Sequence, residues 1–452
     1  MTSPAEQMLA AAVEQHKRGD LANAAVAYHQ LLNMEPFNPG ILYLMGDIAV
    51  RQGLNGLGIN LLSNAISIKP TVEAYIALGC AYKAEGHGDE AVQAWQAGLK
   101  IQPTAELLNN MASMYADAAQ PALAHKYADA ALKLEPGNPH ALWNSALAFL
   151  TEEDWPRGWE HHDQRFNVQN LSTRRDFGCP EWDGRPGVRL AVHGEQGIGD
   201  EIMFLSMMLE VLARCPDTVI EVEPRLLDVV ERTFGIPAYG NEAAMKAHEK
   251  PFDMCIPLGS LGKILRQEPA HFHGYPYLQA DPERVRYWRR QYAMQGPGPY
   301  VGVAWQGGSK STRLTQRTIK PAQLLFTKKA TAISLQYGEF AEQQAKECGY
   351  LFWPESTGAD MDEVFAMTAA CDLIITVPQT LVHVAGSLGV KTLVLTPLYS
   401  SWRYGLRDRM PWYGNTRLLR QRTDGEWGYP LDQARQALDK LCKGDTNEQA
   451  DQ

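Results

Sequence analysis

The sequence predicts a helical solenoid followed by two α/β units with parallel sheets. Three observations carry that expectation. Prolines at Pro36, Pro70, Pro103 and Pro136 recur at intervals of 34, 33 and 33 residues, each closing an amphipathic stretch, and a fixed period of that length marks stacked helix pairs. From Val188 onward, short apolar runs alternate with amphipathic helical patterns, the signature of strands joined by helical crossovers. The segment Gln295-Gly296-Pro297-Gly298-Pro299 divides that alternation into two series and reads as a hinge.

The solenoid comes first. In the unit ending at Pro103, Tyr75, Leu78, Gly79, Tyr82, Ala91 and Trp95 stand where a tetratricopeptide repeat places its large, small and aromatic contacts. Gly46, Leu62 and Ala65 serve the unit ending at Pro70, and Ala112, Tyr115, Ala124 and Ala131 the one ending at Pro136. The unit ending at Pro36 matches least. A fifth, partial unit over Leu142–Ala148 continues to Trp155, Gly158, Trp159 and Arg165 and is expected to dock the array onto the next domain. Such arrays offer a concave surface to a protein or glycan acceptor, or serve as a spacer or a dimer surface. His161 and His162 lack a third ligand at helical spacing, so no metal is expected there.

The α/β part follows. Expected strands are Val188–His193, Thr218–Glu223 and Phe252–Pro257 in the first series. The second series is Tyr300–Trp305, Thr331–Gln336, Leu351–Trp353, Asp372–Val377, Lys391–Leu395 and Arg417–Arg420. Ligands of such sheets bind beyond the carboxyl ends of the strands, and two facing lobes imply a cleft. The expected domains are therefore residues 1–170 (array), 171–295 (first α/β lobe), 296–445 (second α/β lobe) and a disordered tail at 446–452.

The formal net charge of −10 opposes wholesale attraction to a polyanion. A nucleic-acid partner is accordingly disfavoured, Arg284, Arg286, Arg289 and Arg290 being the local basic stretch that would serve one. The seven cysteines are scattered and never form CxxC, which is reduced-compartment usage without a metal signature. No apolar run approaches the roughly 18 residues of a membrane span, and the start lacks a leader pattern. The expectation is a cytoplasmic protein without a transmembrane segment.

Three strand-to-helix turns carry candidate chemistry. In Glu195-Gln196-Gly197-Ile198-Gly199-Asp200 an apolar strand meets a glycine-rich turn and then a helix expected over Glu201–Arg214. Asp200 there is either a helix cap or a base beside the helix's positive end. In Val377-Pro378-Gln379-Thr380-Leu381-Val382-His383, Thr380 offers a hydroxyl to a phosphate and His383 lies one turn further on the same side, while Ala385, Gly386 and Ser387 allow close packing. The alternative is a tightly packed helix with a buried histidine. The loop Trp305-Gln306-Gly307-Gly308-Ser309-Lys310-Ser311-Thr312-Arg313, with Arg317 after it, supplies cations and amides for a leaving group or is a solvated basic loop. Trp402-Arg403-Tyr404 and Pro411-Trp412-Tyr413 form either an aromatic wall or ordinary packing.

On these residues, together with Pro180-Glu181-Trp182-Asp183-Gly184, Pro276-Tyr277-Leu278, Ser334-Leu335-Gln336 and Arg420-Gln421, the chain resembles bacterial tetratricopeptide-repeat glycosyltransferases related to the heptosyltransferases, a glycosyltransferase family 9-like group. In domain order it is similar to O-GlcNAc transferases. The resemblance implies an α-helical TPR solenoid followed by an α/β GT-B fold of two facing Rossmann-like lobes. It further implies metal-independent, inverting transfer of a hexosyl or heptosyl group from a nucleotide-sugar to an acceptor hydroxyl. The acceptor would be a protein, a glycan or a lipid-linked molecule presented by the array, and no cofactor is expected. Asp200 takes the family's place as base. The donor would meet Arg317, Thr380, His383, Gln336, Gln306 and Gly386, and the acceptor turn comprises Glu195, Gln196, Gly197 and Gly199. Where the family reads aspartate then threonine after the strand, this chain has Pro378-Gln379. Two other functions compete: a TPR scaffold with a degenerate, non-catalytic GT-B domain, and glycosylation of a hydroxylated nucleic-acid base.

Overall fold

The computed structural model describes residues 3–169, 171–247, 250–308 and 317–444. The expected tail at 446–452, and Ser309, Lys310, Ser311, Thr312 and Arg313 of the basic loop, lie outside them. The chain divides into two compact units, residues 1–116 with 122–145, and residues 117–121 with 146–452.

The first unit is built from helices α1 (Pro4–Lys17), α2 (Leu21–Met34), α3 (Pro39–Arg51), α4 (Asn55–Ile68), α5 (Val72–Ala84), α6 (Gly88–Ile101), α7 (Ala105–Asp117), α8 (Pro121–Leu134) and the start of α9 (Pro139–Thr151). The period seen in the sequence is thus a ladder of antiparallel pairs. Ser3, Asp20, Asn38 and Thr71 cap α1, α2, α3 and α5 by accepting backbone N–H bonds. Glycine sits where two helices touch: a methyl at Gly79 would collide with the Trp95 indole, and one at Gly46 would lie 2.7 Å from Leu62. Trp95 is fully buried and donates its indole N–H to the Ile76 carbonyl at 3.2 Å.

The array ends earlier than residue 170. α10 (Trp155–His162) and the turn Asp163–Phe166 belong to the second unit. Trp155 and Trp159 are 1% exposed and Arg165 is 0% exposed. The Trp159 indole donates to the Arg266 carbonyl at 2.8 Å, and Gly262 leaves room for its ring. What looked like a partial repeat is core of the α/β unit.

That unit holds two parallel sheets. The first contains β1 (Leu190–His193), β2 (Thr218–Glu221), β3 (Ala238–Tyr239) and β4 (Met254–Pro257) in the order β3-β2-β1-β4. Its helices are α11 (Ile198–Phe204), α12 (Met208–Arg214), α13 (Leu227–Phe234), α14 (Glu242–Lys246) and α15 (Gly262–Leu265). After α16 (Pro282–Gln295) the second sheet takes β5 (Tyr300–Val303), β6 (Thr331–Ser334), β7 (Leu373–Thr376), β8 (Thr392–Thr396) and β9 (Thr416–Arg420) in the order β6-β5-β7-β8-β9. Its helices are α17 (Ala341–Cys348), α18 (Met361–Ala369), α19 (Thr380–Leu388) and α20 (Gly428–Lys443). Strand order reverses beside β1 and beside β5, which creates a switch point in each sheet.

Several expectations change in detail. Leu351–Trp353 is not a strand of the sheet; Leu351 makes a single bridge to Ile333. The helix expected from Glu201 begins at Ile198 and breaks into a 3₁₀ turn at Leu205–Met207, so α11 and α12 replace one long helix. α16, assigned to the first lobe, packs on the second: Trp288 and Tyr292 share a core with Tyr300, Met367 and Ile374. The chain therefore changes lobes before Pro282, not at the glycine-proline hinge. Arg284 holds Glu363 at 2.5 Å and Arg289 holds Asp372 at 2.7 Å, so two of the four residues of the basic stretch fasten that helix instead of forming a free cationic face.

The lobes meet through apolar packing, where the sequence had implied a cleft. One continuous core joins Phe204, Met207 and Tyr277 of the first lobe to Phe365, Val382, Trp402, Trp412 and Tyr413 of the second. Arg232 of α13 adds a two-pronged pair to Asp362 of α18 at 2.8 and 2.6 Å. Trp402, Trp412 and Tyr413, at most 5% exposed, are filling for this seam and offer no ring face to a sugar.

Candidate functional site

The first switch point is closed by charge. Gly194 follows β1, and a methyl there would sit 2.5 Å from Glu201 Oε1. Glu195 comes next and turns inward. Its Oε2 accepts from Arg165 Nε at 2.7 Å and from Ser172 Oγ at 2.8 Å, and its Oε1 from the Gly259 amide at 3.1 Å and from Arg165 Nη2. Arg165 also donates to Asp163 at 2.8 Å and Ser260 at 2.9 Å. A carboxylate so engaged, with its side chain 2% exposed, braces the loops after β1 and β4. Glu195 is therefore not an acceptor contact.

Gln196 then adopts φ +65°, a conformation that a non-glycine residue takes only at a cost of about 1 kcal/mol. Gly197 is the N-cap of α11 and makes no side-chain cap bond. This turn brings Asp200 into the first turn of α11, facing the other lobe. Arg403, in the loop after β8, donates Nη2 to Asp200 Oδ2 at 2.8 Å and Nε to Oδ1. Gly199 permits the approach: a methyl there would lie 3.2 Å from His383 Cδ2 and 3.6 Å from Thr380 Oγ1.

On the second lobe the loops after β5 and β7 touch at the switch point, where a methyl at Gly307 would collide with the Pro378 carbonyl. Gln379 is the N-cap residue of α19. Its Nε2 donates to Thr376 Oγ1 at 3.0 Å, while its Oε1 is buried without a hydrogen-bond partner. Thr380 opens the helix. His383, 5% exposed, shares a 3.0 Å hydrogen bond between Nδ1 and the Tyr413 hydroxyl. Burial pushes its pKa down to about 4, with the Arg403 charge in the same direction and Asp200 opposing. The histidine is thus neutral at physiological pH. Burial lifts the Tyr404 phenol to about 12 against the pull of the Arg317 and Arg403 charges.

The structure therefore gathers Asp200, Gly199, Thr380 and His383 along one seam, and the charge of Arg317 is felt beside it at Tyr404. It does not gather all the predicted donor residues. Gln336 is spent on backbone: its Oε1 accepts from the Trp305 and Gln306 amides, both at 2.9 Å, and its Nε2 donates to the Gln306 and Tyr337 carbonyls. Gln306 is tied into that clamp and bridges Thr318. Gly386 lies behind the site, where a methyl would enter the Tyr413 ring. Gly386 thus makes space for Tyr413 and contributes nothing to a ligand directly.

Sequence reasoning gave no role to Glu201 and read Trp402-Arg403-Tyr404 and Pro411-Trp412-Tyr413 only as an aromatic wall or packing, not as partners of Asp200 and His383. The Trp402-Arg403-Tyr404 run was visible, but the 203 residues separating Arg403 from Asp200 hide the pair from any local pattern. Glu201 is invisible for another reason. It alternates with Asp200 around α11 and points back into the first lobe, where burial, with Glu221, Glu223 and Asp200 adding to it, pushes its carboxyl up to about 8. At the ends of β1 and β4 is a cavity of about 250 Å³ lined by Arg175, Phe177, Cys179, His193, Cys255 and others.

Residues 72–104 match the tetratricopeptide repeat family. Protein FlbA of Caulobacter vibrioides is 28% identical over an alignment that covers 92% of this chain and 81% of that protein. Among solved structures, the MamA protein is 19% identical, covering 36% of this chain and 90% of its own with a TM-score of 0.32. A thermophilic TPR protein of Thermus thermophilus is 17% identical, covering 36% and 91% with a TM-score of 0.32. PilW, a widely conserved type IV pilus biogenesis factor, is 18% identical, covering 37% and 78% with a TM-score of 0.34. The N-terminal unit is thus a helical solenoid that includes a tetratricopeptide repeat at residues 72–104, and a domain with parallel sheets follows it. No described helix is long and apolar enough to cross a membrane.

Proposed function

We propose that the chain is a glycosyltransferase of GT-B type, moving a sugar from a nucleotide-sugar to an acceptor hydroxyl with inversion and without a metal. The repeat array presents the acceptor, which is a protein, a glycan or a lipid-linked molecule. The observation that carries this reading is the seam itself. One acid at the carboxyl end of the first sheet, Asp200, stands against Thr380, His383 and Arg403 at the carboxyl end of the second. Ligands of open α/β sheets bind at such ends, and here the ends of two sheets converge on a single carboxylate.

In this mechanism Asp200 draws the proton from the acceptor oxygen. The phosphate leaves toward Arg317, Arg403 and the first amides of α19, where charge develops in the transition state and fixed cations act most strongly. His383, neutral and fixed by Tyr413, orients without adding charge. Pro378-Gln379 supplies an amide where the family has a carboxylate and a hydroxyl, so the pocket for the sugar differs even if the phosphate is held the same way.

A scaffold with a non-catalytic second unit is the other reading. It is favoured by the pairing of both Asp200 oxygens with Arg403 and by the structural engagement of Glu195 and Gln336. A panel of nucleotide-sugars decides between the two. The transferase raises its melting temperature with one donor, because a ligand bound only to the native state stabilises it, and consumes that donor. A protein whose melting is unmoved by every donor is the scaffold.

A further inference from the structure

Asp200 has both oxygens engaged by the fork of Arg403, so it cannot take a proton from an acceptor without breaking those bonds. Its side chain is 15% exposed and that of Arg403 23% exposed, which is enough shielding for the pair to matter and enough access for it to be exchanged. A guanidinium fork fits phosphate as well as carboxylate. Arg403 lies in the loop between β8 and β9, next to Trp402, with its charge also felt at Tyr404 and His383. A phosphate at the seam would therefore compete with Asp200 for one cation.

We propose that Arg403 is an exchangeable phosphate ligand, holding Asp200 until a phosphate-bearing donor takes the guanidinium over and frees the carboxylate to act on the acceptor. The inference rests on the glycosyl-transfer reading for its biological meaning, but the exchange itself is a property of the pair. It makes the order of events a consequence of charge. The base is released only when the leaving group is in place, so an acceptor arriving first finds Asp200 occupied. Water arriving first finds the same, which limits wasteful activation of solvent.

Inorganic pyrophosphate is the probe, titrated by calorimetry at low salt into the full-length protein. Asp200→Asn keeps the shape but removes the anion and turns one of the two acceptors that hold the guanidinium into a donor, so the fork is held less firmly. The expected result is pyrophosphate binding about tenfold tighter than in wild type, equivalent to about 1.4 kcal/mol. The double variant Asp200→Asn with Arg403→Gln loses that gain. Arg403→Lys, which keeps the charge and loses the fork, binds pyrophosphate more weakly than wild type while remaining folded by circular dichroism. The proposal is overturned if Asp200→Asn binds no tighter than wild type, or if the gain survives removal of Arg403. Failure of the transferase reading looks different: the pyrophosphate pattern holds while no nucleotide-sugar is consumed.

Discussion

Replacing Arg165 by Met tests how the first lobe is held together. The guanidinium is fully buried and makes two bonds to Glu195 and one each to Asp163, Ser260 and the His162 carbonyl. Methionine fills a similar volume but strands Glu195, whose side chain is 2% exposed, without its cation. Breaking one side of a buried ion pair costs about 3–5 kcal/mol, because the remaining charge keeps its desolvation penalty. Asp163 suffers less, as Lys263 is 3.6 Å away. Against a total stability of about 5–15 kcal/mol, this loss is large. Urea unfolding followed by tryptophan fluorescence reads it, since every tryptophan except Trp95 and Trp143 belongs to the second unit. The companion variant Arg165→Met with Glu195→Leu removes both charges and should recover most of the loss. A single variant within about 1 kcal/mol of wild type, or a double variant no better than the single, refutes the account of Glu195 as a buried brace.

Other expectations follow from burial and close contact. Glu201, with its carboxyl pushed up to about 8 by burial from 4.5, binds a proton in the folded state that the unfolded chain has released. Stability therefore falls as pH rises from about 4.5 to 8, by at most about 1.4 kcal/mol per unit. Glu201→Gln should flatten that slope in melting curves, and an unchanged slope would assign it elsewhere. Gly386→Ala drives a methyl into the Tyr413 ring and should cost about 1–3 kcal/mol, with disturbed His383 resonances in NMR; a silent substitution contradicts the packing. Gly79→Val places bulk against Trp95 in the array. The first helical melting step by circular dichroism should drop while the second unit's tryptophan transition stays put.

Much of the architecture was legible because it is written in local periods. Proline spacing exposed the repeats, and apolar runs located β1, β2, β4, β5, β6, β7, β8 and β9 to within a few residues. The two-residue β3 has too little apolar pattern to detect. Trp155, Trp159 and Arg165 misled because a repeat-like spacing and a domain core demand the same large residues; only burial against Gly262 and Glu195 separates them. At the site, Asp200, Thr380 and His383 were readable from strand-to-helix turns. Gln336 and Glu195 were readable as polar residues at strand ends but not as ones already satisfied by backbone and Arg165. Arg403 required the fold, since long-range pairing leaves no mark on either segment.

The most direct test is the rate at which nucleotide is released from the donor selected in the nucleotide-sugar panel, compared between wild type and Asp200→Asn in the presence of acceptor. Removal of a general base should lower that rate by about 10²- to 10⁴-fold, even though the variant holds phosphate more tightly. Equal rates in the two proteins would contradict the assignment of Asp200 as the group that activates the acceptor.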